Sequence, residues 1–281
     1  MDVLHIIHTI SPPVTNLPSP RIVYLGDVMA KKKTGIAFGG GGTRGIAHIG
    51  AIRVFQEYGV DFDFVAGNSA GAIAGAMYAA GVPWRRLYEF VLDIKSKLSQ
   101  RSLFTYIDPR LVEGLADSFL KGKSFDDLKK PFCAIAVDLE RASLEMLNRG
   151  SVSKALSASC AVPGVFQPVE IDGRAFIDGG TLRSIPTEAV RGMGAQMVVG
   201  IDLNSDKRRG TSSRKRLDVL VTALNISTNA NCAICEQYSD IMLRPSLDGY
   251  PRHCFKSVEG MLKAGENTAL ESLGDIIELM R

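Results

Sequence analysis

The pentapeptide GNSAG at residues 67–71 constrains this chain most, because it matches the pattern G-x-S-x-G. The apolar segment 62–66 leads into it, and the segment 70–80, almost wholly small and apolar, follows it. This strand–turn–helix setting holds a serine hydroxyl at a strand end, beside the N-terminus of a buried helix. Glycines are needed there because the turn is strained and its neighbours approach closely. The pattern favours Ser69 as a nucleophile over a plain tight turn.

A second glycine-rich loop, GGGGTRG at residues 39–45, follows the strand predicted at 34–38. It also fits the dinucleotide fingerprint G-x-G-x-x-G. That fingerprint requires an acidic residue at the end of the next strand, where this chain has the serine turn instead. The alternative is an oxyanion hole made by the backbone N–H groups of Gly40, Gly41 and Gly42. Neighbouring parallel strands bring both loops to one sheet edge, which favours the oxyanion hole.

The general base is harder to find, because none of the four histidines follows an acid in the order Ser–Asp–His. His48 shares a helix face with Ile52 and Phe55, which is typical of a packed core histidine. Asp178 ends the apolar strand 175–177 and precedes two glycines, so its carboxylate is expected at an open strand end. Partial burial would raise its pKa and make it a better base. The alternative for Asp178 is a simple Asp-Gly turn.

Strands alternating with helices predict a three-layer α/β/α sandwich with a mostly parallel central sheet. The proline-rich residues 1–30 are expected to form an extended or disordered arm, and residues 31–281 a single domain. The predicted strands are 34–38, 62–66, 131–137, 142–147, 169–171, 175–177 and 196–203, and the predicted helices are 45–58, 70–80, 84–100, 109–120, 153–160, 186–193 and 257–280.

Composition excludes several classes of function. The net charge of +3 is too small to indicate nucleic-acid binding, and no nucleic-acid motif is present. Five cysteines in a chain of this length do not form a disulfide pattern, which favours a cytoplasmic setting. Cys232 and Cys235 have a zinc-like spacing without a second pair, and His253 and Cys254 would complete four ligands only by coincidence of fold. We therefore predict no metal or cofactor.

The segment KRRGTSSRKR at residues 207–216 is strongly basic. Such a charge run is usually a solvated connection. The functional alternative is peripheral contact with an anionic membrane surface. The sequence does not indicate an oligomeric state.

In their order along residues 34–204, the motifs resemble those of the patatin-like phospholipases. The matching segments are GGGTRG at 40–45, GNSAG at 67–71, Ser157-Ala158-Ser159 followed by Pro163 and Phe166-x-Pro168, and Asp178-Gly179-Gly180 with Pro186 beyond. One departure is visible: family members often carry an asparagine shortly before that proline, whereas Arg183-Ser184-Ile185 stand here. The departure bears on substrate preference rather than on the chemistry.

The resemblance implies a lipid acyl hydrolase that acts on fatty-acyl esters without calcium or another cofactor. It implies a catalytic dyad of Ser69 and Asp178, with no histidine, and an oxyanion hole shaped by Gly40, Gly41 and Gly42. Supporting motif positions are Arg44, Gly45, Gly67, Gly71, Gly179 and Gly180. Arg44 is expected to brace the glycine loop or else to lie on the surface.

Two other functions remain open at this level. One is a carboxylesterase or thioesterase that acts on small soluble esters through the same two residues. The other is a catalytically silent regulatory protein on the same fold.

Overall fold

The computed structural model describes residues 32–99, 110–205, 214–230, 232–250, 252, 255 and 257–281. The predicted arm at 1–30 lies outside these residues and stays a prediction. The strands are β1 (Thr34–Phe38), β2 (Phe64–Gly67), β3 (Phe132–Asp138), β4 (Ser143–Leu147), β5 (Val169–Ile171), β6 (Arg174–Asp178), β7 (Met197–Ile201) and β8 (Ile241–Leu243).

The described α-helices are α1 (Ile46–Tyr58), α2 (Ala70–Ala79), α3 (Trp84–Ser99), α4 (Arg110–Leu120), α5 (Val152–Ser159), α6 (Thr187–Gly192), α7 (Arg216–Ala230), α8 (Cys232–Gln237), α9 (Val258–Glu271) and α10 (Leu273–Leu279). Short 3-10 helices cover Gly42–Gly45, Phe125–Asp127 and Gly179–Thr181. None of the described helices is both long enough and apolar enough to cross a lipid bilayer.

The strands form one mixed sheet in the order β5-β6-β3-β2-β1-β7-β8, with β4 also paired to β3. Strands β7, β1, β2 and β3 run parallel with β8, whereas β4 and β6 are antiparallel to β3 and β5 is antiparallel to β6. The predicted sandwich with a mostly parallel sheet is therefore confirmed.

Both faces of the sheet are buried, because successive side chains of a strand point to opposite faces. On β1, Ile36 and Phe38 pack in the larger core with α1 and α2, while Ala37 packs in a second core with Val190 of α6. This double burial explains why the central strands are continuously apolar rather than alternating.

The pairing of β3 determines where the site forms. Ala134 pairs with Leu147 of β4 and with Gly67 of β2, and Ala136 pairs with Glu145 of β4 and Asp178 of β6. Because β4 occupies one edge of β3 along this stretch, β2 and β6 must share the other edge. Their carboxyl ends therefore meet head to head, at positions about 7 Å apart along β3.

The predicted helix at 257–280 was wrong in one respect, because the structure divides it into α9 and α10. At Ser272 the backbone leaves the helical region (φ −97°, ψ 0°). Helix α10 begins at the next residue and buries Ile276. Strand β2 begins at Phe64 rather than at residue 62, since the Asp63 carboxylate accepts from the Thr34 N–H at 2.8 Å before pairing starts. Helices α7 and α8 and strand β8 were not predicted.

Candidate active site

Ser69 stands between β2 and α2 in a strained backbone conformation. Its φ of +52° is one that residues other than glycine seldom adopt. The strain is held by a hydrogen bond in which the Ser69 N–H donates to Oγ of Ser159, a buried residue of α5, at 2.9 Å. A side chain at Gly71 would collide with the Phe38 carbonyl, so α2 can lie against β1 only with glycine there. The structure thus places the Ser69 side chain at the end of β2.

Asp178, at the end of β6, lies against Ser69. Its buried carboxylate accepts a hydrogen bond from the Gly180 N–H at 2.7 Å, and the neighbouring side chains of Ser69 and Asn68 favour its charged form. Burial raises the pKa of Asp178 to about 6, because desolvation disfavours the charged form more than these groups favour it. The two residues that the sequence selected as nucleophile and base therefore lie beside each other, close enough for the Ser69 side chain to lower the pKa of Asp178.

Asn68 is a site residue whose role the sequence analysis did not identify. Its amide is buried; it contacts Asp178, and its Nδ2 lies 3.4 Å from the Ser184 carbonyl oxygen. A Cβ atom at Gly40 would lie 2.6 Å from this Nδ2, and one at Gly180 would lie 3.0 Å from it. The glycines at these positions therefore leave space for the amide. The one feature of the sequence that could have indicated this role is that Asn68 is the only large polar side chain in the segment GNSAG.

The predicted oxyanion-hole glycines differ in what their backbones do. The Gly40 N–H donates to the Ser184 carbonyl at 2.9 Å, and the Gly40 carbonyl accepts from Asn204 at 2.8 Å. Among the described residues, the N–H groups of Gly41 and Gly42 have no acceptor. The Gly40 backbone therefore anchors the loop. The N–H groups of Gly41 and Gly42 donate no hydrogen bond within the described part of the protein.

Arg44 braces the glycine loop. Its buried guanidinium donates from Nε to the Tyr250 carbonyl at 2.8 Å and from Nη1 to the Leu203 carbonyl at 3.1 Å. These contacts attach the loop to the chain beyond β7 and to the chain before α9. Arg44 is therefore a buried residue of the glycine loop and not a surface residue. Gly45 allows the loop to pack closely, because a Cβ atom there would lie 2.6 Å from Cβ of Ala70.

His48 is a buried core residue, as predicted, and it also holds the glycine loop. Its Nε2 lies 2.7 Å from the Gly39 carbonyl oxygen, so Nε2 carries the proton in this bond. The ring meets Phe38 edge-on at a centroid distance of 5.2 Å. Burial lowers the pKa of His48 to about 4, which keeps the imidazole neutral at pH 7.

Cys160 borders the serine. Burial is the main cause that raises the pKa of its thiol, the nearby charge of Asp178 raises it further, and the Ser69 side chain lowers it. Cys160 is buried at the wall of the site, and its thiol is free. A thiol with a raised pKa is a poor nucleophile, so it does not compete with Ser69.

Comparison with known proteins identifies the family. Residues 36–191 match the sequence profile of the patatin-like phospholipases. The chain belongs to this family. An uncharacterized NTE family protein of Mycobacterium tuberculosis is 35% identical over 185 residues, which are 62% of this chain and 50% of that protein. Human patatin-like phospholipase domain-containing protein 6 is 29% identical over 200 residues, 67% of this chain and 14% of that protein.

The fold agrees with a solved structure of low sequence identity. VipD from Legionella pneumophila superposes with a TM-score of 0.54 at 14% identity, covering 87% of this chain and 67% of that one. The present chain spans about half the length of the mycobacterial relative that it matches.

The segment in which this chain departs from other patatin-like phospholipases, Arg183-Ser184-Ile185, serves the site through its backbone. The Ser184 carbonyl accepts from the Gly40 N–H at 2.9 Å and lies 3.4 Å from the Asn68 amide nitrogen, while the Ile185 side chain is buried in the second core. A backbone carbonyl supplies these contacts whatever side chain stands at 184.

The described residues contain no group of three or more His, Cys, Asp or Glu side chains placed to hold a metal ion. Cys235 is buried and its thiol is free. Of the residues considered with Cys235 as zinc ligands, His253 and Cys254 lie outside the described residues.

Proposed function

We propose that this protein is a serine lipid acyl hydrolase, a phospholipase A or esterase that cleaves fatty-acyl esters through Ser69 and Asp178. The observation that carries the proposal is a serine in a strained backbone conformation beside a buried carboxylate whose pKa is raised to about 6. A carboxylate of that pKa is charged at neutral pH and is a stronger base than an exposed aspartate. Membership of the patatin-like phospholipase family supports a lipid ester as the substrate.

The acylation step transfers one proton and one acyl group. Asp178 accepts the proton of the Ser69 hydroxyl as Oγ attacks the ester carbonyl carbon, and a tetrahedral oxyanion forms. As this intermediate collapses, the ester C–O bond breaks and the proton passes from Asp178 to the leaving alcohol. The product is an acyl-serine. Asp178 then removes a proton from water as the water oxygen attacks the acyl carbon. When this second intermediate collapses, the bond from the acyl carbon to Ser69 Oγ breaks, the proton on Asp178 returns to Oγ, and the fatty acid leaves.

The oxyanion would be stabilised by backbone N–H groups. Those of Gly41 and Gly42 have no acceptor among the described residues, and the N-terminus of α2 begins directly after Ser69. A helix N-terminus and preorganised N–H donors both favour negative charge that develops in a transition state. In this proposal Gly40 holds the loop in place, and no metal or cofactor takes part.

The direct test is hydrolysis of phosphatidylcholine in mixed micelles and of a short-chain p-nitrophenyl ester by the wild type, Ser69→Ala and Asp178→Asn. We expect each variant to lose activity by at least about a thousandfold. Labelling by a fluorophosphonate should occur in the wild type and be absent in Ser69→Ala. A folded Ser69→Ala protein that keeps wild-type rates would refute the mechanism. Activity on the soluble ester alone would point to a carboxylesterase, and an unlabelled, inactive wild type to a silent protein.

A further inference from the structure

Helix α7 directs apolar side chains toward solvent. Val219, Leu220 and Ile226 have exposed fractions of 46%, 44% and 58%. With about 3.6 residues per turn, these three and the exposed Ala223 fall within an arc of about 120° on one side of the helix, which the exposed Arg216 and Ser227 share. Isolated exposed apolar residues are common on proteins, but a cluster of them on one side of a helix marks an interaction surface.

The inner side of α7 is polar at the point where it meets the rest of the protein. Thr228 is buried, and its Oγ1 lies 2.5 Å from the Gly180 carbonyl oxygen and 2.8 Å from the Leu224 carbonyl oxygen. Leu224, on the same side of the helix as Thr228, is half-buried, whereas Val219, Leu220 and Ile226 lie on the exposed side. These three apolar side chains therefore do not contribute to the core.

Basic residues border this apolar face. Arg214, Lys215 and Arg216 are exposed and lie directly at the start of α7, and Arg216 falls on the same arc as Val219 and Ala223. An apolar face flanked by cations is the arrangement by which helices lie in the interface of bilayers that contain anionic lipids. An apolar protein partner would not require the cations, so the charge favours a lipid surface.

The location of α7 connects this surface to the candidate active site. The helix packs on the 3-10 helix Gly179–Thr181, which directly follows Asp178, and Thr228 contacts the carbonyl of Gly180 within it. We infer that the exposed face of α7 (Val219, Leu220, Ala223 and Ile226, with Arg214–Arg216 at its edge) docks the protein on an anionic membrane surface, beside the site that would take its ester from that surface. This inference rests on the proposed function and adds to it the source of the substrate.

Binding to vesicles tests the docking surface. The Ser69→Ala protein is used as the parent so that no lipid is consumed, with vesicles of phosphatidylcholine alone or mixed with phosphatidylglycerol. We expect the parent to sediment with the mixed vesicles. Adding Leu220→Gln and Ile226→Gln should lower the partition coefficient by about tenfold or more. Adding Arg214→Gln, Lys215→Gln and Arg216→Gln should lower it by roughly a hundredfold on the mixed vesicles only.

Matched control variants carry the same changes elsewhere on the surface. Leu270→Gln with Ile277→Gln removes two exposed apolar side chains of α9 and α10, and Lys121→Gln, Lys129→Gln and Arg149→Gln removes three exposed cations. Both controls should bind vesicles as the parent does. When the same α7 changes are made in the protein that retains Ser69, the variants should hydrolyse a soluble short-chain ester at the wild-type rate. That result would show that they fold.

The outcomes are distinct. A parent that does not bind mixed vesicles, or α7 variants that bind as the parent does, overturns the docking surface. Loss of a dimer in light scattering by the Leu220/Ile226 variant, with unchanged vesicle binding, overturns it in favour of a second copy of this chain. Vesicle binding that depends on α7, in a protein whose wild type hydrolyses no ester, leaves the docking surface standing and refutes only the proposed function.

Discussion

At the scale of single residues, the balance of charge around Asp178 decides the pH at which the proposed chemistry can run. The carboxylate must be ionised to accept the Ser69 proton, and burial raises its pKa to about 6. We expect kcat/KM to fall as the pH is lowered through about 6, because the free enzyme then loses its base. A pH–rate profile on a soluble ester measures this limb.

Asn68 should affect the pH at which kcat/KM falls on the acidic side of this profile. Its side chain lies near the Asp178 carboxylate and lowers the pKa of Asp178. Asn68→Ala should therefore move the acidic limb to higher pH by a few tenths of a unit to about one unit. Asn204→Ala is the matched control, because its amide bonds to the Gly40 carbonyl and leaves the acidic limb unchanged. Identical limbs in the Asn68 variant and the wild type would contradict the positioning role of Asn68.

Part of this residue-scale description was available from the sequence. Ser69 and Asp178 were selected because each follows an apolar strand and carries the right chemistry. Asn68 was not selected, because its role depends on a contact with a residue 110 positions later in the chain, at Asp178. The use of the Gly40 N–H by Ser184 was likewise hidden, since a run of glycines does not show which N–H groups are already bonded.

At the scale of elements, α5 holds the serine turn through a single hydroxyl. Ser159→Ala removes the acceptor of the Ser69 N–H and leaves that donor buried, which should cost about 1–3 kcal/mol of stability. The turn should then relax from its strained conformation, and the rate of fluorophosphonate labelling of Ser69 should drop by about tenfold or more. Labelling rate and urea denaturation together measure the two effects.

Ser153→Ala is the control on the same helix. Its buried hydroxyl bonds to Asp117 rather than to the site, so this variant should lose stability without losing labelling rate. Equal labelling rates in the Ser159 and Ser153 variants would mean that α5 supports the fold but does not position Ser69.

The predicted helices and strands show either apolar periodicity or a continuous apolar run, whereas the elements that were not predicted give a weaker signal of either kind. Helix α7 exposes Val219, Leu220 and Ile226, and these apolar residues obscure its inward positions, such as Leu224 and Thr228, in the sequence. Strand β8 has only three residues, which is too short for a periodic signal. The break at Ser272 was missed because apolar positions continue with helical spacing on both sides of it.

At the scale of the whole molecule, two buried groups make opposite contributions to the pH dependence of stability. The pKa of His48 is lowered to about 4, so the unfolded chain binds more protons below pH 6.5 and stability increases with pH from about 4 to 6.5. The pKa of Asp178 is raised to about 6, so the folded protein binds more protons and stability decreases as the pH rises from 3.8 to 6. In the wild type these slopes largely cancel.

Variants of Asp178 and of His48 should each show the pH dependence of stability that the other residue contributes. Asp178→Asn should gain stability relative to the wild type as the pH rises from 4 to 7, by up to about 3 kcal/mol. His48→Gln keeps a donor for the Gly39 carbonyl and removes the titration, so its stability should fall over the same range by a similar amount. Urea unfolding at several pH values gives both curves. Parallel curves for the two variants would show that neither group titrates as its burial implies.

The three-layer architecture followed from alternating strands and helices, but the sequence did not reveal that β6 joins β3 antiparallel on the edge that β2 also uses. Pairing between Asp178 and Ala136 is set by packing of the whole sheet and leaves no local pattern. The sequence could therefore predict the two residues and the layers, but not the way in which the sheet brings those residues together.

The shared edge of β3 also makes the site a reporter of complete folding. A shift of one residue in the β6–β3 register would turn the Asp178 side chain to the opposite face of the sheet, away from Ser69. A chain still being synthesised, with the serine turn formed but β6 not yet paired, would hold a hydroxyl without its base. Under the proposed chemistry, a partly synthesised chain would not hydrolyse lipid esters until β6 has paired with β3 in the correct register.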